Sequence, residues 1–201
     1  IGLSLGWRAA PFIVGAITLT ATAAWLLLGR ESKEGDGIKD PSNLRAMLQV
    51  LRQRMTILLG IGFVGGFGQN VAMSTWLPSY YSGVLGFPLE TSGQLVSLLP
   101  LFGIVGALAG GFLSAIVGLR RPFLIASGLS LTVFGLGSFL SPIQPLLIGS
   151  LALLGISSFL FLPAAFTIPM ETPGMTPDKV GMTLAVALSM GNFAGFISPL
   201  L

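Results

Sequence analysis

The sequence predicts an all-α, polytopic helical membrane protein, and three observations predict it. Apolar residues make up 53% of the 201-residue chain and charged residues only 8%, with a mean hydropathy of +0.89. A water-soluble surface needs far more charge than this, whereas lipid tolerates it. Second, charge-free stretches recur, each close to the roughly 20 residues that cross about 30 Å of hydrocarbon. Third, Lys and Arg are confined almost entirely to alternate connecting segments, as orientation by basic loops requires.

Taken in order, the expected spans cover residues 9–29, 55–77, 91–119, 122–140, 146–170 and 180–201. The charge-free run 122–170 is too long for one helix. Ser141-Pro142-Ile143-Gln144-Pro145 divides it, because paired prolines with a polar residue mark a turn. Running the first helix from outside to inside places Arg30, Lys33, Lys39, Arg45, Arg52, Arg54, Arg120, Arg121 and Lys179 on the cytoplasmic side and leaves only Arg8 outside, nine of the ten basic residues on one face. The external loops 78–90 and 141–145 then carry no Lys or Arg. The expected location is an integral, multi-pass position in the plasma or inner membrane, with a cytoplasmic central linker.

That linker begins with residues 30–40 (RESKEGDGIKD), charged and without apolar periodicity. Ser42 then caps a helix whose Leu44, Met47, Leu48 and Leu51 recur at helical spacing, with Arg45, Arg52 and Arg54 off the stripe. Two readings stay open: a basic helix lying on the anionic leaflet, or an ordinary linker helix packed on the bundle. Farther on, Thr176-Pro177-Asp178-Lys179 has the hydroxyl cap, early proline and early acid of a helix start. Glu90 has the same structural reading. Glu171 is at the wrong end of a helix dipole, and Arg120, Arg121 or Lys179 is expected to pair with it. The chain starts at Ile1 and its last span runs to Leu201, so it is expected to be a fragment.

The absence of Cys and His excludes disulfides, thiol nucleophiles and imidazole chemistry, and no nucleophile–base or metal constellation is visible. The chain is therefore expected to be no enzyme and to hold no cofactor or metal. Its basic residues form short clusters between apolar runs, without interleaved aromatics, so nucleic acid is not an expected partner. No Asp, Glu, Lys or Arg lies well inside a span, which argues against a proton channel built from this segment alone.

The polar groups at membrane depth are the candidates for solute contact. Gln69 and Asn70 sit among Gly60, Gly62, Gly65, Gly66 and Gly68, and are either cavity-lining groups or interhelical glue. Asn192, beside Gly191 and Gly195, poses the same choice, and Ser158, next to Ser157, is a further candidate. Trp76, Tyr80 and Tyr81 form an interfacial aromatic belt or, in the second reading, contact a ligand. Gly62/Gly66, Gly106/Gly110 and Gly191/Gly195 have the spacing that lets helix backbones approach closely. Residues 122–140 are expected to face lipid.

The order of these features resembles a known family. Gly6-Trp7-Arg8 opens a span, a charged linker with an amphipathic helix follows, then residues 75–113 (TWLPSYYSGVLGFPLETSGQLVSLLPLFGIVGALAGGFL) and a short loop ending Gly118-Leu119-Arg120-Arg121-Pro122. This resembles helices six to eleven of a major facilitator superfamily transporter. In its cytoplasmic loop motif Gly111, Gly118, Arg120 and Arg121 match, while Ala115 and Ile116 stand where an acid and a base are usual. Residues 171–201, around Gly191-Asn192 and Gly195, are similar to cyanate- and nitrate/nitrite-type porters, although the spans lack those porters' intramembrane arginines. The resemblance implies a partial major facilitator fold in which 1–29 ends an N-terminal bundle, 30–54 is the inter-bundle linker and 55–201 is a C-terminal bundle. It implies alternating access for a small molecule or small anion, with the lipid bilayer and a missing N-terminal helical half as partners. Helices seven and ten would line the cavity, favouring Gln69 and Asn70. Gly103, Gly106, Gly110, Gly191 and Gly195 would let the two halves slide. A non-transporting membrane scaffold is the alternative.

Overall fold

Hydrocarbon offers the backbone no water, so a chain of this composition must close its hydrogen bonds within helices. The computed structural model, which describes residues 9–29, 44–140 and 143–200, contains helices and short connections and no strand among the described residues. Eight α-helices run in the order α1 (Ala9–Leu28), α2 (Leu44–Leu51), α3 (Arg54–Gly83), α4 (Leu89–Val117), α5 (Arg121–Leu140), α6 (Gln144–Leu160), α7 (Leu162–Glu171) and α8 (Pro177–Ile197), followed by a 3₁₀ turn at Ser198–Leu200. The 30–40 linker, the Ser42 cap and the Ser141-Pro142 turn lie outside the described residues. The chain forms two compact units, Ile1–Pro41 and Ser42–Leu201.

In the first unit, α1 carries no charge over its 20 residues. Its hydroxyls are satisfied locally: Thr18 donates to the Val14 carbonyl at 2.9 Å and Thr22 to the Thr18 carbonyl at 2.9 Å. Its described apolar stretch, Phe12–Leu28, is shorter than the five stretches of the second unit that are long and apolar enough to cross a membrane.

In the second unit the five spans are Arg54–Gly83, Leu89–Val117, Arg121–Leu140, Gln144–Glu171 and Pro177–Leu200. Two boundaries differ from expectation. α3 runs through Pro78 to Gly83, so the expected 78–90 loop shrinks to five residues, 84–88. A proline inside a helix costs one hydrogen bond, and packing absorbs it here because Tyr80 and Tyr81, just beyond, are anchored to α5. The 146–170 span is broken: α6 ends at Leu160 and α7 begins at Leu162, with Pro163 in the first turn of α7. Pro163 lacks the N–H that would continue the ladder. The last helix starts three residues before its apolar run, at the Thr176 cap read from the sequence, which accepts from the Lys179 N–H at 3.4 Å. α4 stops at Gly118, whose φ of +68° is the left-handed conformation that glycine adopts without penalty.

Two helix pairs dominate the packing, α3 with α8 and α4 with α6, and α5 packs on the outside of α6. The two pairs repeat one motif. The Cα positions of Gly106 and Gly110, one turn apart on α4, lie directly against the carbonyls of Ile156 and Leu160 on α6. Gly191 and Gly195, one turn apart on α8, face the carbonyls of Phe63 and Phe67 on α3, where an added Cβ would lie 3.1 and 3.9 Å away. The α4–α6 pair is therefore in backbone contact and the α3–α8 pair is slightly looser. Inside the unit these glycines, and Gly103 against the Phe159 ring, serve packing: backbone leaves no room for a side chain at Gly106 and Gly110, while the nearest neighbours at Gly103 and Gly195 are the side chains of Phe159 and Val71. Gly62 differs again: nothing lies within 4 Å of an added Cβ, so its spacing to Gly66 marks no close helix approach among the described residues.

Two apolar cores bracket the middle of the bundle. Leu77, Tyr81, Leu95, Leu99, Leu147, Leu151 and Leu154 form one, and Leu59, Phe63, Phe161, Ala165 and Ala187 form the other. As expected, α5 is the least buried of the spans, at 17%, and it is tied on by polar contacts. Ser127 donates to the Ser157 carbonyl at 2.6 Å. Tyr80 and Tyr81 donate to the Phe139 and Ser138 carbonyls, each at 3.0 Å. Tyr81 is fully buried, so its role is that of a strut between helix ends, where a belt residue was expected.

Candidate functional site

Between the two cores, at the middle of α3 and toward the C-terminal ends of α6 and α8, lies a cavity of about 390 Å³ lined by Gly66, Phe67, Asn70 and Val71 of α3, Ser158 and Phe159 of α6, and Asn192 and Gly195 of α8. That volume suits a small solute. The helices bring three of the sequence candidates together here: Asn70, Ser158 and Asn192. Their hydrogen-bonding capacity differs. Ser158 donates its hydroxyl proton to the Leu154 carbonyl at 2.8 Å, which leaves it only acceptor capacity. Asn192 donates one N–H to the Leu188 carbonyl at 3.0 Å and retains a second N–H and its oxygen. Asn70 makes no hydrogen bond among the described residues, so its whole carboxamide is available. The cavity wall carries no charge, and it offers a solute a mixed set of donors and acceptors.

Gln69 and Trp76 are not part of this group. Successive helical residues point about 100° apart, so adjacent carboxamides part company. Gln69 lines a different cavity of about 380 Å³ between α3 and α5, with Gly62, Gly65, Ser127, Gly128 and Thr132. Its Oε1 and Nε2 are both buried without a hydrogen-bond partner among the described residues. Trp76 is 52% exposed and lines neither cavity. Phe67, Phe159 and Phe161 were not singled out from the sequence. Pro163, two residues beyond Phe161 at the α6–α7 junction, was the one local signal near the last of these.

At one end of the bundle the loop motif has a defined structure. Arg120 donates from Nη2 to Glu171 Oε1 at 2.5 Å and from Nε to Oε2 at 3.1 Å. Its Nη1 donates to the Ser114 carbonyl. The guanidinium thus caps the negative end of α4 and neutralises a carboxylate at the negative end of α7. The Glu171 partner expected from three possibilities is Arg120. Donating to the Glu171 carboxylate pushes the Arg120 pKa up still further. Gly111 lies loosely against Pro163, with an added Cβ 3.9 Å away, and Arg121 starts α5.

The model of the Major Facilitator Superfamily matches residues 1–199. The chain is 32% identical over 133 residues to the "Probable nitrate/nitrite antiporter NarK1" of Thermus thermophilus, which covers 65% of this chain and 29% of that protein. It is 27% identical over 218 residues to the "Probable sulfoacetate transporter SauU" of Cupriavidus necator, covering 96% of this chain and 50% of that protein. The chain thus spans half or less of the length of these curated relatives. No solved structure gives a significant match.

Proposed function

Because this chain belongs to the major facilitator superfamily, we propose that it forms part of a secondary-active transporter of a small anionic solute, working by alternating access, with Asn70 and Asn192 supplying N–H donors to the solute site and Ser158 lining its wall. The observation that carries the site is the convergence of these three groups from three helices on one cavity between two apolar cores. Intramembrane polar groups that converge on a cavity mark solute paths. The names of the two relatives, one for nitrate/nitrite and one for sulfoacetate, favour an oxyanion. Carboxamide N–H groups can bind anionic oxygens, and the cavity wall supplies no positive charge of its own.

In this reading α1 ends one helical bundle, residues 30–54 form a cytoplasmic linker, and residues 55–201 belong to a second bundle. The basic residues on the α2 and α4–α5 connections then face the cytoplasm. The anion's charge would be met by groups of the other bundle, the partner this one needs to complete the site. Arg120–Glu171 would hold the cytoplasmic ends of α4 and α7 together.

Solute uptake into membrane vesicles containing the protein tests the assignment. Asn70→Ala and Asn192→Ala are expected to raise the apparent KM by roughly three- to tenfold, the loss of one hydrogen bond each. Gln69→Ala is expected to leave it unchanged. If Asn70→Ala and Asn192→Ala transport with native affinity, the site lies elsewhere.

A further inference from the structure

We infer that Phe161 is the wall between the Asn70 cavity and the second cavity between α3 and α5, that Gly66 is the seat its ring requires, and that the pair therefore bounds the space open to the solute. The inference rests on the solute-site reading above and adds a residue outside it.

The two cavities flank one stretch of α3. Gly66 lines both, while Asn70 faces one and Gln69 the other. Phe161 is the only residue of the α6–α7 segment in the lining of the second cavity. Its ring lies over Gly66 so closely that an added Cβ there would be 2.7 Å from the ring tip. The ring is 6% exposed and is held edge-on by Phe63 at a centroid distance of 5.6 Å. Phe161 lines the second cavity, and Gly66, on which its ring rests, lines both. Phe161 stands at the junction of α6 and α7 with near-helical φ −78° and ψ −22°, and its carbonyl accepts from the Ala165 N–H at 2.8 Å, which fixes the backbone that carries the ring. Beyond the wall lie Ser127 and the unpaired Gln69 carboxamide, polar groups that water or a solute would enter if the ring moved.

Cysteine accessibility gives a clean test, since the chain has no cysteine of its own. Single cysteines are placed at Asn70 and at Ser127, and membranes containing the protein are treated with a charged methanethiosulfonate. Asn70→Cys is expected to label and Ser127→Cys to resist. Combined with Phe161→Ala, Ser127→Cys is expected to react roughly tenfold faster, because thiolate chemistry needs water at the sulfur. Gly66→Ala, which keeps the ring in the chain but removes its seat, is expected to act in the same direction if Phe161→Ala fails to fold. Should Asn70→Cys label while Ser127→Cys stays slow in both backgrounds, the wall is overturned and the solute site stands. Fast labelling of Ser127→Cys in the native background also overturns the wall. An Asn70→Cys that never labels overturns the site and the wall together.

Discussion

Replacing Gly106 with alanine tests the packing of the bundle independently of any solute. An added Cβ would meet the Ile156 carbonyl carbon and Cα at 2.8 Å, both rigid backbone atoms that cannot rotate aside. Either α4 and α6 separate or both bend. Forcing a methyl into such a contact costs about 1–3 kcal/mol. Against this stands the gain in helix propensity of alanine over glycine, about 0.8–1.0 kcal/mol. Gly62→Ala removes the ambiguity, because it makes the same propensity gain with nothing within 4 Å of the new Cβ. The difference between the two variants is then the packing cost alone, about 1–3 kcal/mol. For a domain of this size that corresponds to roughly 2–12 °C, at about 2–4 °C per kcal/mol. Thermal unfolding in detergent micelles, followed by circular dichroism, measures it. If Gly106→Ala melts with Gly62→Ala, the two helices are not in backbone contact and the packing argument fails.

Other outcomes follow from the same geometry. Tyr81→Phe leaves the Ser138 carbonyl without its buried donor and is expected to cost roughly 0.5–2 kcal/mol by the same melting assay, more than Tyr80→Phe, whose partner is less buried. Gly118→Ala strains a left-handed residue in open space and is expected to cost about 1–2 kcal/mol, with Gly118→Asn costing less, since asparagine tolerates that conformation. Glu171→Gln is expected to remove the salt dependence of stability attributable to Arg120, and the exchange of Arg120→Glu with Glu171→Arg to restore part of it. A melting temperature equally sensitive to salt in native protein and Glu171→Gln would show that the pair carries no weight.

The membrane class and the helices were legible because charge is scarce and confined. Arg54, Arg120, Arg121 and Lys179 punctuate the apolar runs, and each stands within a few residues of a helix end. The start at Thr176 was legible too, since a cap and an early proline are local chemistry. Pro78 was misread as a boundary. A proline's effect depends on whether surrounding packing absorbs the lost hydrogen bond, and that is tertiary information. Which of Gln69 and Asn70 faces the cavity could not be read either. Helical periodicity separates the two by about 100° but does not say where the neighbouring helices stand. The glycine pairs were visible as spacing, but their partners, Ile156 and Leu160 for one pair and Phe63 and Phe67 for the other, are set by how distant segments meet. The struts of Tyr80 and Tyr81 reach carbonyls 59 and 57 residues away, beyond any local signal.

The hydroxyl groups of this chain have a consequence for discrimination. Thr75, Thr132, Ser157, Ser158 and Thr167 all donate to carbonyls of their own helix. A hydroxyl whose proton is so engaged presents only lone pairs outward. These five hydroxyls are thus attractive to ammonium, hydroxyl or amide N–H groups and indifferent to bare oxyanions. In the Asn70 cavity side-chain donors come from two asparagines alone. Exchanging one asparagine for a serine there would therefore subtract donors and leave acceptors, turning the preference of the wall from electron-rich to electron-poor solutes without moving any helix.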